Sequence, residues 1–231
     1  MFVNLFQDNT IRQIFINFVT IRDEDAVDTC LKKVTRALLL LSVLLAFACG
    51  RESSARSFPQ EELRAGDLAF RCGTGMVSRM VTTVEDGCIY SHVGVLAPSA
   101  EGWQVVHAVP YEASKGDFDR VKAEPLEVFF SAKMAAKGCL AHTGLTEDEA
   151  LALCSEAFRQ VRDSVRFDSA YDLADSSRLY CTEFVWRLYR RAGVDLSEGR
   201  RIHLSLPPVH GECLLPEHLY HYTNNIIYYQ F

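Results

Sequence analysis

The stretch YSHVGVLAPSAEGWQVVHAV, residues 90–109, predicts two short strands joined by a tight turn. Apolar side chains recur at alternate positions along 90–97 and 103–109, which is typical of strands in a half-buried sheet. Between them, the segment 98–102 contains proline, serine and glycine, which favour turns. The pattern therefore predicts an antiparallel hairpin.

Each strand of this hairpin carries one histidine, His92 and His107. In a simple hairpin centred on 98–102, the two residues lie opposite each other or nearly so. Their Cβ atoms would then be about 5 Å apart on one face of the sheet. Two imidazoles in that position can act as a general base and as the group that orients it. The alternative is that each histidine satisfies only local hydrogen bonds.

Cys181 stands where a polar loop meets a predicted helix at 182–192. A helix N-terminus carries partial positive charge and free N–H groups, both of which stabilise a thiolate and lower the pKa of a thiol. The cysteine shares a helical stripe with Phe184, Val185 and Leu188, so its sulfur is expected to face the body of the domain. The alternative is that Cys181 is a small buried hydrophobe, as free cysteines often are.

Further helices and strands follow one another without regular alternation. The patterns predict strands at 67–71, 137–142 and 225–230 and helices at 74–84 and after Pro216. A capping box formed by Thr146 and Glu149 predicts the start of another helix, which ends near Val165. This mixture predicts an α+β fold in which a small antiparallel sheet packs against helices. The segments 110–136 and 197–216 carry no recognisable motif, and we expect loops there to determine substrate specificity.

Composition excludes several classes of protein. The chain has 231 residues and a net charge of −6, which suggests one domain and lacks the basic excess of a nucleic-acid-binding protein. No glycine-rich phosphate loop is present, so no nucleotide cofactor is expected. His218 and His221 lie near Cys213, but a structural zinc site needs four ligands at tighter spacing, so no metal is expected.

An apolar run, ALLLLSVLLAFAC at 37–49, follows a basic cluster at 32–36. It is shorter than the roughly 20 residues of a spanning helix and matches the apolar region of a signal peptide. A buried core helix is the alternative, although such a helix would have a polar face. We therefore expect a leader at 1–48, with the true start near 31–34, beside the basic cluster.

The small residues before Cys49 resemble the lipobox of bacterial lipoproteins, in which the cysteine is lipidated and becomes the first mature residue. Gly50, in place of Asp, then favours the outer membrane, with the protein facing the periplasm. Cleavage without lipidation, giving a secreted or periplasmic protein, is the alternative. The polar segment 49–62 is interpreted as lipid anchor and tether, and 63–231 as the folded domain.

Four stretches of the chain resemble the permuted papain-like cysteine hydrolases of the YiiX type, within the NlpC-type superfamily of cell-wall peptidases. They are LRAGDLAF at 63–70, YSHVGV at 90–95, VHA at 106–108 and YCTEFV at 180–185. The histidine precedes the cysteine, which is the permuted order. The resemblance implies a circularly permuted papain-like fold.

The resemblance also implies roles for individual residues. Cys181 becomes the nucleophile, His92 the general base, and His107 the third polar group. Many relatives place a glutamate at this third position, and an imidazole gives an imidazolium less electrostatic support than a carboxylate does. Tyr90 and Tyr180 are implied to line the substrate site or to donate to an oxyanion.

The activity implied by the resemblance is cofactor-free hydrolysis of an amide bond through a thioester. The substrate would be an envelope peptide, with peptidoglycan as one source, or an N-acyl compound. Two alternatives remain open: an acyltransferase or thioesterase like lecithin–retinol acyltransferase, and a non-catalytic envelope binding module.

Six cysteines follow Cys49 in the chain: Cys72, Cys88, Cys139, Cys154, Cys181 and Cys213. If Cys181 is a free thiol, five remain and at least one of these is unpaired. Cys154 lies on the apolar face of its predicted helix and is expected to be inert. A bridge between Cys72 and Cys88 is left open.

Overall fold

The structure, a computed structural model, describes residues 56–110, 118–206, 209–223 and 226–231. The expected leader at 1–48 and the anchor at Cys49 lie outside the described residues. Within the described part of the chain, no helix has both the length and the apolar character needed to cross a bilayer.

Ten strands are present in the described ranges: β1 Leu68–Gly73, β2 His92–Ser99, β3 Gly102–Val109, β4 Arg120–Pro125, β5 Ala135–Ala141, β6 Arg166–Phe167, β7 Arg178–Leu179, β8 Ile202–Leu206, β9 Val209–Cys213 and β10 Ile227–Gln230. Eight of them form one sheet in the order β10-β5-β1-β2-β3-β4-β6-β7. Its strand pairs are antiparallel except β6 with β7, and β8 pairs separately with β9. The α+β class is therefore confirmed.

Five helices accompany the strands in the same ranges: α1 Met76–Thr83, α2 Leu126–Phe129, α3 Glu147–Arg162, α4 Cys181–Arg191 and α5 Pro216–Thr223. The predicted capping box opens α3. The Thr146 hydroxyl accepts from the Glu149 backbone N–H, and the Glu149 carboxylate accepts from the Thr146 N–H at 2.9 Å. Local sequence signals thus placed the start of this helix correctly.

The central strands separate two apolar layers, because successive side chains of a strand point to opposite faces. On one face, which we call the α4 face, Val93, Val95, Val106 and Ala108 pack in one cluster with Phe184, Val185 and Leu188 of α4. On the other, the Phe129 face, Leu96 and Val105 pack with Phe58, Leu126, Phe129 and Phe130. By the same alternation, His92 and His107 belong to the Phe129 face.

The hairpin register differs from the prediction by two residues. Val95 pairs with Val106 and Ser99 with Gly102, so the turn consists of residues 100–101 and Pro98 lies within β2. Pro98 is exposed and lies beyond the part of β2 that pairs with β1, where its missing N–H costs no ladder hydrogen bond. A shift of two keeps every side chain on its predicted face.

Strands β2 and β3 separate at the end that carries the histidines. Their pairing stops at Val95 and Val106, whereas β2 continues to pair with β1 as far as His92, opposite Arg71. The backbone N–H of Leu96 points to β1, where it donates to Asp67. Alternation along the strand therefore directs the Val93 N–H towards β3, into the opening between the strands.

Helix α1 forms as predicted. It buries none of its residues, and Met76 and Met80 are 79% and 62% exposed. Packing begins before Leu63, because the ring of Phe58 is buried against Phe130 and Tyr229. Part of the segment interpreted as tether therefore belongs to the core.

We expect Gly94→Ala to destabilise the protein. A Cβ at this position would lie 2.5 Å from Val105 Cγ1, 2.9 Å from the Val106 carbonyl oxygen and 3.0 Å from His107 Cβ. Overpacking of this kind costs about 1–3 kcal/mol. The matched control is Gly75→Ala, whose Cβ would meet nothing within 4 Å. Urea unfolding measures both free energies, and equal values for the two variants would contradict the expected clash.

Candidate active site

Cys181 is the first residue of α4, preceded by Tyr180 in extended conformation as the N-cap. Its side chain is buried, and its sulfur lies 3.6 Å from Thr182 Oγ1. The Val93 backbone N–H lies close enough to the sulfur to lower the pKa of the thiol. The nucleophile candidate therefore lies beside Val93, the residue that directly follows His92 in β2.

The pKa of the Cys181 thiol differs from the expectation based on helix position. Burial raises it above the usual value for cysteine. Hydrogen bonds from Thr182 and Val93 and the charge of Arg71 lower it, but not enough to offset the lost hydration. The resting thiol is therefore protonated at neutral pH, and the prediction of a lowered pKa is wrong.

The two histidines lie side by side, as the hairpin predicted. His92 Nε2 is 2.7 Å from His107 Nδ1, a hydrogen-bonding distance, and both side chains are buried. Their rings meet edge to face, and the ring of Phe129 contacts both at centroid distances of 5.9 and 5.3 Å. The Phe129 face therefore shields the pair from water and fixes its orientation.

Both histidines are neutral in the resting protein. Burial lowers the pKa of His92 well below its ordinary value, and the nearby charges of Arg71 and Lys122 lower it further. Burial also lowers the pKa of His107, although the adjacent Glu124 carboxylate acts in the opposite direction. A neutral imidazole can accept a proton, so His92 is in the protonation state that a general base requires.

Glu124 of β4 is a component of the site that sequence reasoning missed. Its Oε1 lies 3.1 Å from His107 Nε2 and 3.2 Å from Arg71 Nη1, and its Oε2 lies 3.1 Å from Lys122 Nζ. Burial opposes its ionisation, but these three neighbours outweigh burial and hold its pKa at about 2. The alternation of RVKAEP at 120–125 could have indicated a strand. No local signal places that strand beside β3.

The two predicted tyrosines do not join the histidines. The Tyr90 hydroxyl accepts from Gln230 Nε2 at 3.2 Å, and its ring packs against Phe70. The Tyr180 hydroxyl accepts from the Leu214 backbone N–H at 2.8 Å. Both rings are buried and both hydroxyls accept hydrogen bonds within the core, and the expected role of the two tyrosines as oxyanion donors or substrate contacts stays a prediction.

The remaining cysteines in the described residues are free thiols, as is Cys181. Cys72 and Cys88 form no bridge in the structure. Cys154 is buried in α3, where its sulfur lies 3.6 Å from the Leu96 carbonyl oxygen. Burial raises the pKa of Cys154 to about 11, which agrees with an inert residue.

The C-terminal histidine that resembled a zinc ligand is held by hydrogen bonds. His218 Nδ1 accepts from the Leu215 backbone N–H at 3.2 Å, and its Nε2 lies 3.2 Å from Glu85 Oε2. Across the described part of the chain, no three His, Cys, Asp or Glu side chains cluster in a way that could hold a metal ion.

Comparisons with known proteins agree with the fold described above. The sequence model of the family described as "Permuted papain-like amidase enzyme, YaeF/YiiX, C92 family" matches residues 62–205. The fold is similar to a solved structure titled "metalloprotein yiiX from Escherichia coli O157:H7", with a TM-score of 0.56 and 20% identity, over 73% of this chain and 96% of that one. No curated protein sequence matches the chain.

The word metalloprotein in that title describes the similar protein. Within the described ranges of this chain, no cluster of His, Cys, Asp or Glu side chains could hold a metal ion. What the site does present is a buried thiol, two neutral imidazoles in contact and an ionised carboxylate behind them. This set can transfer a proton from sulfur to nitrogen while the sulfur attacks an electrophilic carbon.

We expect iodoacetamide to alkylate Cys181 with a pH midpoint above the value of about 8.5 for an unperturbed cysteine, because burial disfavours the thiolate. Mass spectrometry of the peptide that contains Cys181 measures the rate. Alkylation of the same peptide in urea-unfolded protein is the control, and its pH midpoint should be about 8.5. A midpoint in the folded protein below about 8 would show that the helix N-terminus outweighs burial.

Proposed function

The chain belongs to the permuted papain-like amidases of the YaeF/YiiX type, and we propose that it hydrolyses an amide bond with Cys181 as nucleophile and His92 as general base. The observation that carries this proposal is the 2.7 Å contact between His92 and His107 beside the gap at which α4 presents the thiol. Nucleophile, base and orienting group are the three parts that covalent acyl transfer requires.

In the first step, the Cys181 sulfur attacks the carbonyl carbon, and its proton passes to His92. Because His92 Nε2 is in contact with His107, Nδ1 is the ring nitrogen that remains to accept the proton. Thiol and imidazole are both neutral at rest, so attack and proton transfer occur together. The free N–H groups at the start of α4, including that of Cys181, are placed to stabilise the oxyanion that forms.

In the second step, the His92 imidazolium gives its proton to the amide nitrogen, and the C–N bond breaks. This releases the amine and leaves an acyl group on the sulfur as a thioester. Water then attacks the thioester carbon while His92 accepts a proton from the water. The carboxylic acid leaves, and the proton returns to sulfur, which regenerates the thiol.

The proposed substrate is an envelope peptide, with peptidoglycan as one source, or an N-acylated compound. The amidase description of the matched family supports an amide bond as the target. No cofactor takes part in the proposed chemistry. An acyltransferase or thioesterase would form the same thioester. Transfer of the acyl group to an added amine or alcohol in preference to water would identify an acyltransferase. A binding module would form no thioester at all.

We further propose that the protein is a lipoprotein of the bacterial envelope. The apolar run at 37–49 and the small residues before Cys49 support export and lipidation. Cys49 lies seven positions before Arg56, the first described residue. A tether of that length would place the domain close to the membrane and within reach of envelope substrates.

We expect Cys181→Ala and His92→Ala each to lower the rate of amide hydrolysis at least about 1,000-fold, because each removes a member of a unit that acts together. Release of amine from a panel of acyl-peptides and peptidoglycan fragments measures turnover. Cys154→Ala is the matched control, since it removes another buried thiol that lies in α3, and it should keep the wild-type rate. Full activity in either site variant would disprove the assignment.

We expect radiolabelled palmitate to enter the full-length chain in a bacterial host, and Cys49→Ala to abolish the label. Cys30→Ala is the matched control: this cysteine lies in the expected leader, so its loss should leave labelling intact. Label that persists without Cys49, or a mature chain that retains residues 1–48, would contradict lipidation at this site.

A further inference from the structure

We propose that Glu124 is a positioning residue of this site: its carboxylate acts through His107 to fix His92 in the tautomer that can accept the thiol proton. This inference rests on the proposed function for its catalytic consequence. Its structural content, the tautomers of two histidines, can be tested in the resting protein. Glu124 itself has its contacts with His107, Arg71 and Lys122, not with the nucleophile.

The first step concerns the direction of the contact between Glu124 and His107. An ionised carboxylate can only accept hydrogen bonds. Glu124 is ionised because Arg71 and Lys122 each place a cation about 3 Å from one of its oxygens. His107 Nε2 lies 3.1 Å from Glu124 Oε1, although the contact is not aligned as a regular hydrogen bond. A lone pair at Nε2 would face the negative charge of the carboxylate, whereas an N–H there is attracted to it, so Nε2 is the nitrogen that bears the proton.

The second step follows from the chemistry of neutral imidazole, which has one N–H and one lone pair. With the proton on Nε2, His107 Nδ1 can only accept. Its neighbour at 2.7 Å, His92 Nε2, must then donate and carry the proton. His92 Nδ1 consequently keeps its lone pair, which is the group that a general base needs.

Without the carboxylate, the opposite arrangement also becomes available. His107 could then carry its proton on Nδ1 and donate to His92 Nε2, which would put the proton of His92 on Nδ1. In that tautomer, the nitrogen that remains to face the thiol is a donor and cannot take its proton. The carboxylate thus selects the competent one of two hydrogen-bonded pairs, as the third member of a catalytic triad does.

The third step is electrostatic. When His92 becomes an imidazolium, its positive charge adds to those of Arg71 and Lys122 in a buried site. Glu124 contacts both cations and partly offsets them. No proton needs to leave His107 during this change, because its Nε2 stays 3.1 Å from the Glu124 carboxylate. The carboxylate therefore stabilises the charged intermediate through an intervening neutral ring.

The decisive experiment reads the tautomers directly by nitrogen-15 NMR of the histidine-labelled protein without substrate. We expect His107 and His92 both to be protonated on Nε2 in the wild-type protein. In Glu124→Gln, we expect the Nδ1–H tautomer to appear on both rings, since an amide can donate to His107 Nε2 as well as accept from it. Glu127→Gln, the same change at an exposed carboxylate three residues along, should reproduce the wild-type spectrum.

Kinetics supply the second readout. We expect Glu124→Gln to lower kcat about 10- to 100-fold, as the loss of a carboxylate partner does for the orienting contacts of metal-bound histidines. KM should change little, because Glu124 lies behind His107 and has no place in substrate binding. Glu127→Gln should keep the wild-type kcat. If Glu124→Gln lost this much activity while both histidines kept their wild-type tautomers, the residue would have a structural role and the proposal would be overturned.

The two proposals fail in different ways. If no amide or acyl substrate is turned over, the proposed function fails, and the tautomer spectrum still tests Glu124. If Glu124→Gln does not fold, the wild-type spectrum alone decides. A proton on His107 Nδ1 in the wild-type protein would overturn the inference, even if Cys181 and His92 prove essential for hydrolysis.

Discussion

The separation of β2 from β3 beyond Val95 and Val106 is the constraint on which the whole site depends. Successive side chains of a strand point to opposite faces of the sheet. Here α4 packs on one face, while the two histidines lie on the other. A continuous ladder would place the backbone of two strands between Cys181 and His92. Because the ladder stops, the Val93 N–H is left for the cysteine sulfur, where it lowers the pKa of the thiol, and the sulfur lies beside the residue that follows His92.

Burial sets the electrostatic character of this site and explains why the thiol and histidines are neutral at rest. A preformed thiolate–imidazolium pair would need hydration that the Phe129 ring and α4 exclude. Among the described residues, the permanent anion next to the histidines is Glu124, which two cations hold in place. The negative charge of Glu124 is thus permanent, whereas charge develops on the sulfur and on His92 only while the sulfur attacks.

Local sequence signals predicted those parts of the protein that local physics determines. The capping box of α3, the start of α4 at Cys181 and the common face of His92 and His107 each follow from spacing within one element. The register of the hairpin was wrong because a proline that resembles a turn residue is tolerated at an exposed strand end. Glu124 was missed because its role depends on the pairing of β4 with β3, a contact between segments that no local pattern specifies.

Gly94 shows how the corrected register still allows the two histidines to meet. His107 does not oppose His92; by the observed register it lies across from Gly94, two residues further along β2. A side chain at that position would occupy the Phe129 face beside both imidazoles, and even a Cβ would lie 3.0 Å from that of His107. The absence of a side chain lets His107 lean diagonally to His92 Nε2 while its own Nε2 stays beside Glu124. Gly94 is therefore required by geometry, because it leaves room for the contact between His92 and His107.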